Sequence, residues 1–402
     1  MLCIGGEDHA LRIPFLLALR ERGFRVSAAA TADPTPFARA AIDYHPFHFD
    51  RFLNPLADWA ALKTLAKLID DVRPELVQSF DTKPNLLVPL AARHVPGVMV
   101  VRTINGLAYV YSSRSPKALF ARPIWRVLHR LAARSTTATI FQNRDDQAFF
   151  ERHHMIGRGV NRLIAGSGID VERFDQALAT GPSPEQLRQD LGLGACEIVV
   201  TVTRMTRQKG IPTLLEAAAL VHRHRPGVRF LLVGPRESEG SLAVTQAEID
   251  RHAPYVLGIG PRSDVPSLLG LADVFAFPTE YREGVPRALL EAAVAGRPIV
   301  TTKMPGCTDV IHDGWSGFVV PPRAPRLLAD SILDLLRDRE TAQRMAARAS
   351  VLVRKEFNLQ IVVARYAALY AELVNCSART RVQMLKDAAE PMPYRQDAPH
   401  EA

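Results

Sequence analysis

A chain of 402 residues, 47% hydrophobic and 23% charged, is long enough for two domains with a core each and lies in the ordinary range of globular proteins. Its net charge of +8 predicts an anionic partner without choosing between nucleic acid, a nucleotide-sugar and an acidic membrane face. Four scattered cysteines (Cys3, Cys196, Cys307, Cys376) without C-x-x-C or paired-histidine spacing exclude a zinc site and a disulfide framework, and fit a reducing cytosol. No apolar run reaches about 18 residues, which excludes a transmembrane helix, and the early Glu7 and Asp8 argue against a signal peptide.

Residues 1–5 read as a short apolar strand, Gly6-Glu7-Asp8-His9 as its exit loop, and the next stretch as an amphipathic helix to about Arg22 with a Gly23 cap. A strand over 25–30 completes a β–loop–α–β unit of the doubly wound type. A helix over 55–72 ends before Pro74, strand 76–80 enters the loop Asp81-Thr82-Lys83-Pro84-Asn85, and strand 98–103 enters Asn105-Gly106-Leu107. Such sheets bind ligands beyond the carboxyl ends of their strands, so these loops are candidate site segments.

Residues 116–134 carry Lys117, Arg122, Arg126, Arg130 and Arg134 among Leu119, Phe120, Ile124, Trp125, Val127, Leu128 and Leu131, the pattern of a basic amphipathic helix. Two readings stay open: the solvated face of an ordinary domain helix, or a face that docks on anionic lipid headgroups. The Gly-rich run from Ile164 to Asp170 reads as the crossing between domains, or as a plain turn in the same place.

A Val-rich strand over 197–203 opens a second domain and leads into Arg204-Met205-Thr206-Arg207-Gln208-Lys209-Gly210 and a helix over 211–224. Strands over 229–233 and 255–259 end at Gly234-Pro235 and at Gly260-Pro261-Arg262-Ser263-Asp264. Strand 274–277 enters TEYREGVPRALLEAAVAG, and strand 298–302 follows. This alternation predicts a second parallel α/β domain. Helices over 327–337, 340–353 and 359–374 follow, and the polar stretch from 376 reads as a disordered tail.

Within TEYREGVPRALLEAAVAG, Pro286 suits the first helical position, because its missing N–H needs no partner there. The first-turn N–H groups and the helix dipole make an anion site, with Glu283 just before it and Glu291 about two turns along. This stretch resembles the E-x7-E signature of the retaining family-4 glycosyltransferases. More narrowly, YREGVPRALLEA, TKPN and TINGLAYVYSS resemble segments of members that extend glycans on undecaprenyl-diphosphate lipids.

The resemblance spans about residues 1–374 and implies a GT-B fold: two Rossmann-like, doubly wound α/β domains facing each other across a cleft. It implies an acceptor-binding domain over 1–168, a nucleotide-sugar domain over 169–358 and a helix over 359–375 crossing back, before the tail at 376–402. The activity implied is retaining, metal-independent transfer of a hexose or N-acetylhexosamine from a UDP-sugar to a lipid-diphosphate-linked glycan. It would serve cell-surface polysaccharide or glycoprotein-glycan assembly in the cytoplasm, peripherally on the inner face of the membrane.

Breaking a nucleotide-sugar bond builds negative charge on the departing phosphate, so fixed cations are needed there. Arg204 and Lys209 match the family's diphosphate clamp, the one through its planar fork and the other as a point charge. The resemblance assigns Glu283 to the donor-sugar hydroxyls and Glu291 to the ribose, with Gly284, Val285 and Pro286 presenting backbone to the donor. Gly234 and Arg262 would flank the nucleobase, and Gly6, Arg12, Asn85 and Asn105 would lie on the acceptor side.

Many family members carry a His where this chain has Asn105, and an Asn cannot take up a proton near neutral pH. His9 and Glu7 are alternative bases; otherwise the leaving phosphate oxygen takes the acceptor proton. Lack of an Asp-x-Asp motif, together with the cationic clamp, predicts neither metal nor cofactor. Two rivals remain: a nucleotide-sugar isomerase of the UDP-sugar 2-epimerase type, and a non-catalytic nucleotide-sugar- or lipid-binding descendant. Nucleic-acid binding is disfavoured because the cations are not organised around exposed aromatics or a recognition helix.

Overall fold

The computed structural model describes residues 1–389 apart from 32, 51–53, 108, 109, 112–114 and 237–241, and all their side chains but those of Glu7 and 377–389. Two parallel sheets organise the chain. The first contains β1 (Leu2–Ile4), β2 (Ser27–Ala30), β3 (Asp43–Pro46), β4 (Leu76–Ser79), β5 (Met99–Ile104), β6 (Ala138–Phe141) and β7 (Val160–Leu163), in the order β3-β2-β1-β4-β5-β6-β7. The second contains β8 (Glu197–Val202), β9 (Val228–Val233), β10 (Val256–Gly260), β11 (Val274–Phe277), β12 (Ile299–Thr302) and β13 (Phe318–Val320), in the order β10-β9-β8-β11-β12-β13.

Helical crossovers cover both faces, and β1, β4, β5, β6, β11 and β12 are buried at every residue. In each sheet the chain steps outward from its first strand, then returns to that strand's other side. The loops after β1 and β4, and those after β8 and β11, therefore part at a switch point and leave a crevice.

The chain crosses between sheets twice, side by side. Ile169 N–H donates to the Phe357 carbonyl at 2.9 Å, and Leu359 N–H donates to the Ile169 carbonyl at 2.8 Å. Gly168 adopts a left-handed φ of +78°, and a Cβ there would lie 2.8 Å from Leu359 Cα, so the crossing needs glycine on both counts. The last helix then returns to the first domain, where Val362, Val363, Tyr366, Leu369, Tyr370 and Leu373 join its core. Tyr370 donates to Gln78 Oε1 at 2.8 Å, so its buried hydroxyl is satisfied.

That helix runs Leu359–Ala389, well past the expected end at 374. Polarity misled the sequence reading here, because Ala, Arg, Gln, Met, Leu and Lys of 376–389 are all good helix formers. Residues 390–402 of the expected tail lie outside the described part, as do residues 108, 109, 112 and 113 of TINGLAYVYSS.

The Pro116–Arg134 helix forms as expected, with Ser115 accepting from Ala118 N–H as its cap. Trp125 is turned into the core against Tyr111 and Phe150. Phe120, Ile124, Val127 and Leu131 are left as the exposed apolar stripe. No helix among the described residues is long and apolar enough to cross a membrane.

His9 belongs to the core. It is 0% exposed, its ring lies on Gly5 and stacks on Phe37 at 5.8 Å, and burial, helped by the Arg12 charge, pushes its pKa down to about 4. Below about pH 6.5 the unfolded chain takes up a proton that the folded chain refuses until about pH 4, so stability is lost as the pH falls through that window. His9→Phe is expected to narrow the loss of unfolding free energy between about pH 7.5 and about pH 4.5 by about 2–3 kcal/mol, measured by urea denaturation. An equal loss in both proteins would show that His9 is not the buried neutral group described.

Candidate active site

The second domain's half of the site depends on Gly210. This residue is left-handed (φ +72°), and a Cβ on it would overlap the Pro278 carbonyl oxygen. That approach sets the loop after β8 against the loop after β11. Thr206 tightens the first loop, its hydroxyl accepting from Lys209 N–H at 3.3 Å, and Glu280 N–H donates to the Gln208 carbonyl at 2.9 Å.

Lys209 and Glu283 consequently form an ion pair, their side chains only 10% and 15% exposed. The Tyr281 ring centroid lies 5.3 Å from the ammonium, and Thr279 Oγ1 donates to Glu283 at 3.4 Å. Removing either partner would leave a charge without compensation in a largely desolvated place.

Pro286 lies one position earlier than expected. Its ψ of 120° is extended, its carbonyl accepts from Leu289 N–H, and the helix itself runs Arg287–Val294. The positive end of that helix still opens beside Glu283, with Gly284 and Val285 between them. Glu291 sits on the helix, paired with Arg287 at 2.8 Å.

Gly234 (φ +146°) abuts the Thr203–Arg204 backbone, where a Cβ would overlap the Thr203 carbonyl oxygen. Beside it a cavity of about 150 Å³ is lined by Met205, Leu232, Gly234, Arg236, Gln246, Ile249, Gly258 and Gly260. Arg262 stands on the next strand-end loop in a bidentate pair with Asp264, at 2.9 and 2.6 Å.

The first domain's half converges on Asp81, which the sequence reading placed in a loop without a role. Asp81 Oδ2 accepts from Gly6 N–H at 3.0 Å; Oδ1 accepts from Asn105 Nδ2 at 2.8 Å and Arg12 Nη2 at 3.5 Å. Burial alone would raise its pKa, but Arg12, the Gly6 N–H and Asn105 outweigh that and hold the carboxyl below its ordinary value. The side chain is still 34% exposed. Its φ of +70° is left-handed, which costs a non-glycine residue on the order of 1 kcal/mol and points to a functional constraint.

Three predicted acceptor-side residues thus meet on one carboxylate; the fourth does not. Asn85 is 1% exposed, donates to the Thr103 carbonyl at 2.6 Å and accepts from Ser79 Oγ at 2.8 Å. It ties the ends of β4 and β5 together and cannot touch an acceptor. Sealed in the core, His9 cannot act as base either, and the Glu7 side chain lies outside the described residues.

The two halves meet along the Glu283 turn. Gly106 (φ +111°) lies where a Cβ would sit 2.5 Å from the Arg282 carbonyl oxygen, and a Cβ on Gly284 would overlap Gln142 Oε1. Asn143 Nδ2 donates to the carbonyls of Glu283 at 3.1 Å and Gly284 at 3.2 Å, and Arg282 pairs with the fully buried Asp146 at 3.1 Å. Gln142, Asn143 and Asp146 were not singled out from sequence. Asn143 and Asp146 also serve as an ordinary helix start, with Asn143 Oδ1 accepting from Asp146 N–H at 2.7 Å, and that local signal hides the tertiary one.

Two family models match this chain: Glycosyltransferase Family 4 over residues 15–173, and Glycosyl transferases group 1 over residues 184–351. They divide where the chain first crosses between the sheets. The N,N'-diacetylbacillosaminyl-diphospho-undecaprenol alpha-1,3-N-acetylgalactosaminyltransferase of Campylobacter jejuni is 25% identical over 375 residues, 92% of this chain and 97% of that protein. The UDP-Gal:alpha-D-GlcNAc-diphosphoundecaprenol alpha-1,3-galactosyltransferase of Escherichia coli is 27% identical over 273 residues, 67% of this chain and 68% of its own length. Among solved structures, Anabaena HepE in complex with UDP-glucose matches with a TM-score of 0.75 at 20% identity, over 92% of this chain and 100% of that one, a likeness of fold. With two parallel sheets, and two family models that together span most of its length, this chain belongs to the family-4 glycosyltransferases of the GT-B fold.

Proposed function

We propose that this glycosyltransferase moves a hexose or N-acetylhexosamine from a UDP-sugar to a lipid-diphosphate-linked glycan, with retention and without a metal ion. The observation that carries the reading is the buried Lys209–Glu283 pair beside the Arg287–Val294 helix start, facing the Asn105 loop of the other domain. Support for the acceptor class comes from the activities for which the Campylobacter and Escherichia coli relatives are named, both on diphospho-undecaprenol-linked sugars.

In this reading the uracil occupies the cavity beside Gly234, with Arg262 at its edge, and Glu291 takes the ribose hydroxyls. The diphosphate draws Lys209 from Glu283 and is held by Lys209, Arg204 and the helix N-terminus. As the bond from the sugar's anomeric carbon to the phosphate oxygen breaks, its electron pair goes to that oxygen, and Glu283 steadies the positive charge on the sugar. The acceptor hydroxyl bonds to the anomeric carbon on the face the phosphate leaves, and its proton passes to the departing phosphate oxygen. Asn105 cannot take that proton. Asp81, ionised and one-third exposed, has lone pairs left to orient the acceptor hydroxyl.

The exposed Phe120–Ile124–Val127–Leu131 stripe gives the protein a face for an anionic membrane surface, where a lipid-linked acceptor lies. Arg122, Arg126 and Arg130 donate to Val110, Tyr111 and His153, so they flank that stripe as pinned cations. The non-catalytic reading draws its support from Asn105, and no observation favours the isomerase.

Donor hydrolysis decides between them. Wild type is expected to bind a UDP-hexose or UDP-N-acetylhexosamine in preference to GDP-hexoses and hydrolyse it slowly, at a rate unchanged by EDTA. Glu283→Ala and Lys209→Ala are each expected to cut that rate by about 100-fold or more, the scale set by losing one preorganised electrostatic group. Binding without turnover would favour the non-catalytic protein, and a rate abolished by EDTA would contradict the cationic clamp.

A further inference from the structure

The Glu283 turn is anchored on both domains by neighbouring residues. Glu283 points to Lys209 of its own domain, while Arg282 reaches across to Asp146 of the other. Asp146 is 0% exposed, and Asn143, which holds Asp146 Oδ2 at 2.9 Å, also grips the Glu283 and Gly284 carbonyls. When a diphosphate draws Lys209 away, Glu283 loses its ion-pair partner and keeps only the long contact from the Thr279 hydroxyl among those described. Asn143 and Asp146, which belong to the acceptor domain, still hold the turn from across the seam.

We propose that Asn143 and Asp146 are positioning residues that hold Glu283 in its reactive place only while the two domains are closed, so that donor cleavage waits on closure. The proposal rests on Glu283 acting at the donor sugar. Three features support it. The grip falls on the peptides of the reacting residue itself. The contact crosses the domain seam, so opening breaks it. A carboxylate that loses its guanidinium while still buried is strongly disfavoured, so the Arg282–Asp146 pair favours the closed arrangement.

A latch of this kind acts on the chemical step and leaves ground-state donor binding alone, whereas a merely structural contact would alter stability. The test compares Asp146→Asn, Arg282→Gln and Arg282→Lys by UDP affinity, donor-hydrolysis kcat, melting temperature and small-angle scattering with UDP bound. The expected result is a kcat lowered about 10-fold or more by Asp146→Asn and Arg282→Gln, with UDP affinity within about 2-fold of wild type. Arg282→Lys should recover part of the loss, and the double variant Asp146→Asn/Arg282→Gln should be no worse than either single. The scattering of the two impaired variants should shift towards an open, larger particle.

Wild-type kcat in both Asp146→Asn and Arg282→Gln would overturn the latch, as would losses that multiply in the double variant. If Asp146→Asn does not fold, the Arg282 pair carries the same comparison from a partly exposed position. If Glu283→Ala hydrolyses donor like wild type, the function reading fails; the scattering shift then still reports whether the seam holds the domains closed.

Discussion

One extended turn, Arg282 to Val285, lies in contact with both domains, and the rest of the site is arranged around that approach. Gly106 admits the turn from one side, and Gly306 (φ +82°) from the other, where a Cβ would overlap the Gly284 carbonyl oxygen. A side chain at Gly106 would push the domains apart by the width of a methyl group, and one at Gly306 would displace the turn within its own domain. Glycine here is therefore a condition for the cleft to form as it does.

The second constraint is electrostatic. Lys209 is held against Glu283, so neither of these largely desolvated charges is left bare. In the proposed reaction an arriving diphosphate replaces that carboxylate as partner and frees it for the sugar, in one exchange. Across the cleft, Asp81 gathers Gly6, Arg12 and Asn105 into one wall, which the proposed function gives to the acceptor. Each half is thus organised before substrate arrives, which is the condition under which fixed charges stabilise a developing one most strongly.

Much of this was legible in the residues. Most buried central strands announce themselves as apolar runs, although β6 (Ala138–Phe141) was not expected, and Gly210, Lys209, Glu283 and Pro286 lie in stretches with a strong local signature. β3 (Asp43–Pro46), β7 (Val160–Leu163) and β13 (Phe318–Val320) did not, because they are short edge strands, and β3 and β7 interrupt their apolar residues with polar or charged ones. Asp81, Asn143 and Asp146 were missed for another reason. Their sequence neighbourhoods say only "loop" and "helix start", and their partners lie 24 to 141 residues away. Conversely, His9 and Asn85 have the right chemistry and sit beside the right loops, yet both are buried and committed to packing. Pattern identifies which strand ends carry the site; which side chains face it is decided by the tertiary fold.

The most direct test of the account is transfer itself. The full chain would be incubated with UDP-hexoses and UDP-N-acetylhexosamines, and with a polyprenyl-diphosphate-linked N-acetylhexosamine in vesicles containing anionic lipid. Products would be read by mass spectrometry, and the new anomeric linkage by NMR. The account predicts one added sugar, α-linked from the α-configured donor, formed by wild type and not by Glu283→Ala. An inverted β-linkage would contradict the retaining geometry, and no transfer to any lipid-linked acceptor despite donor hydrolysis would contradict the acceptor assignment.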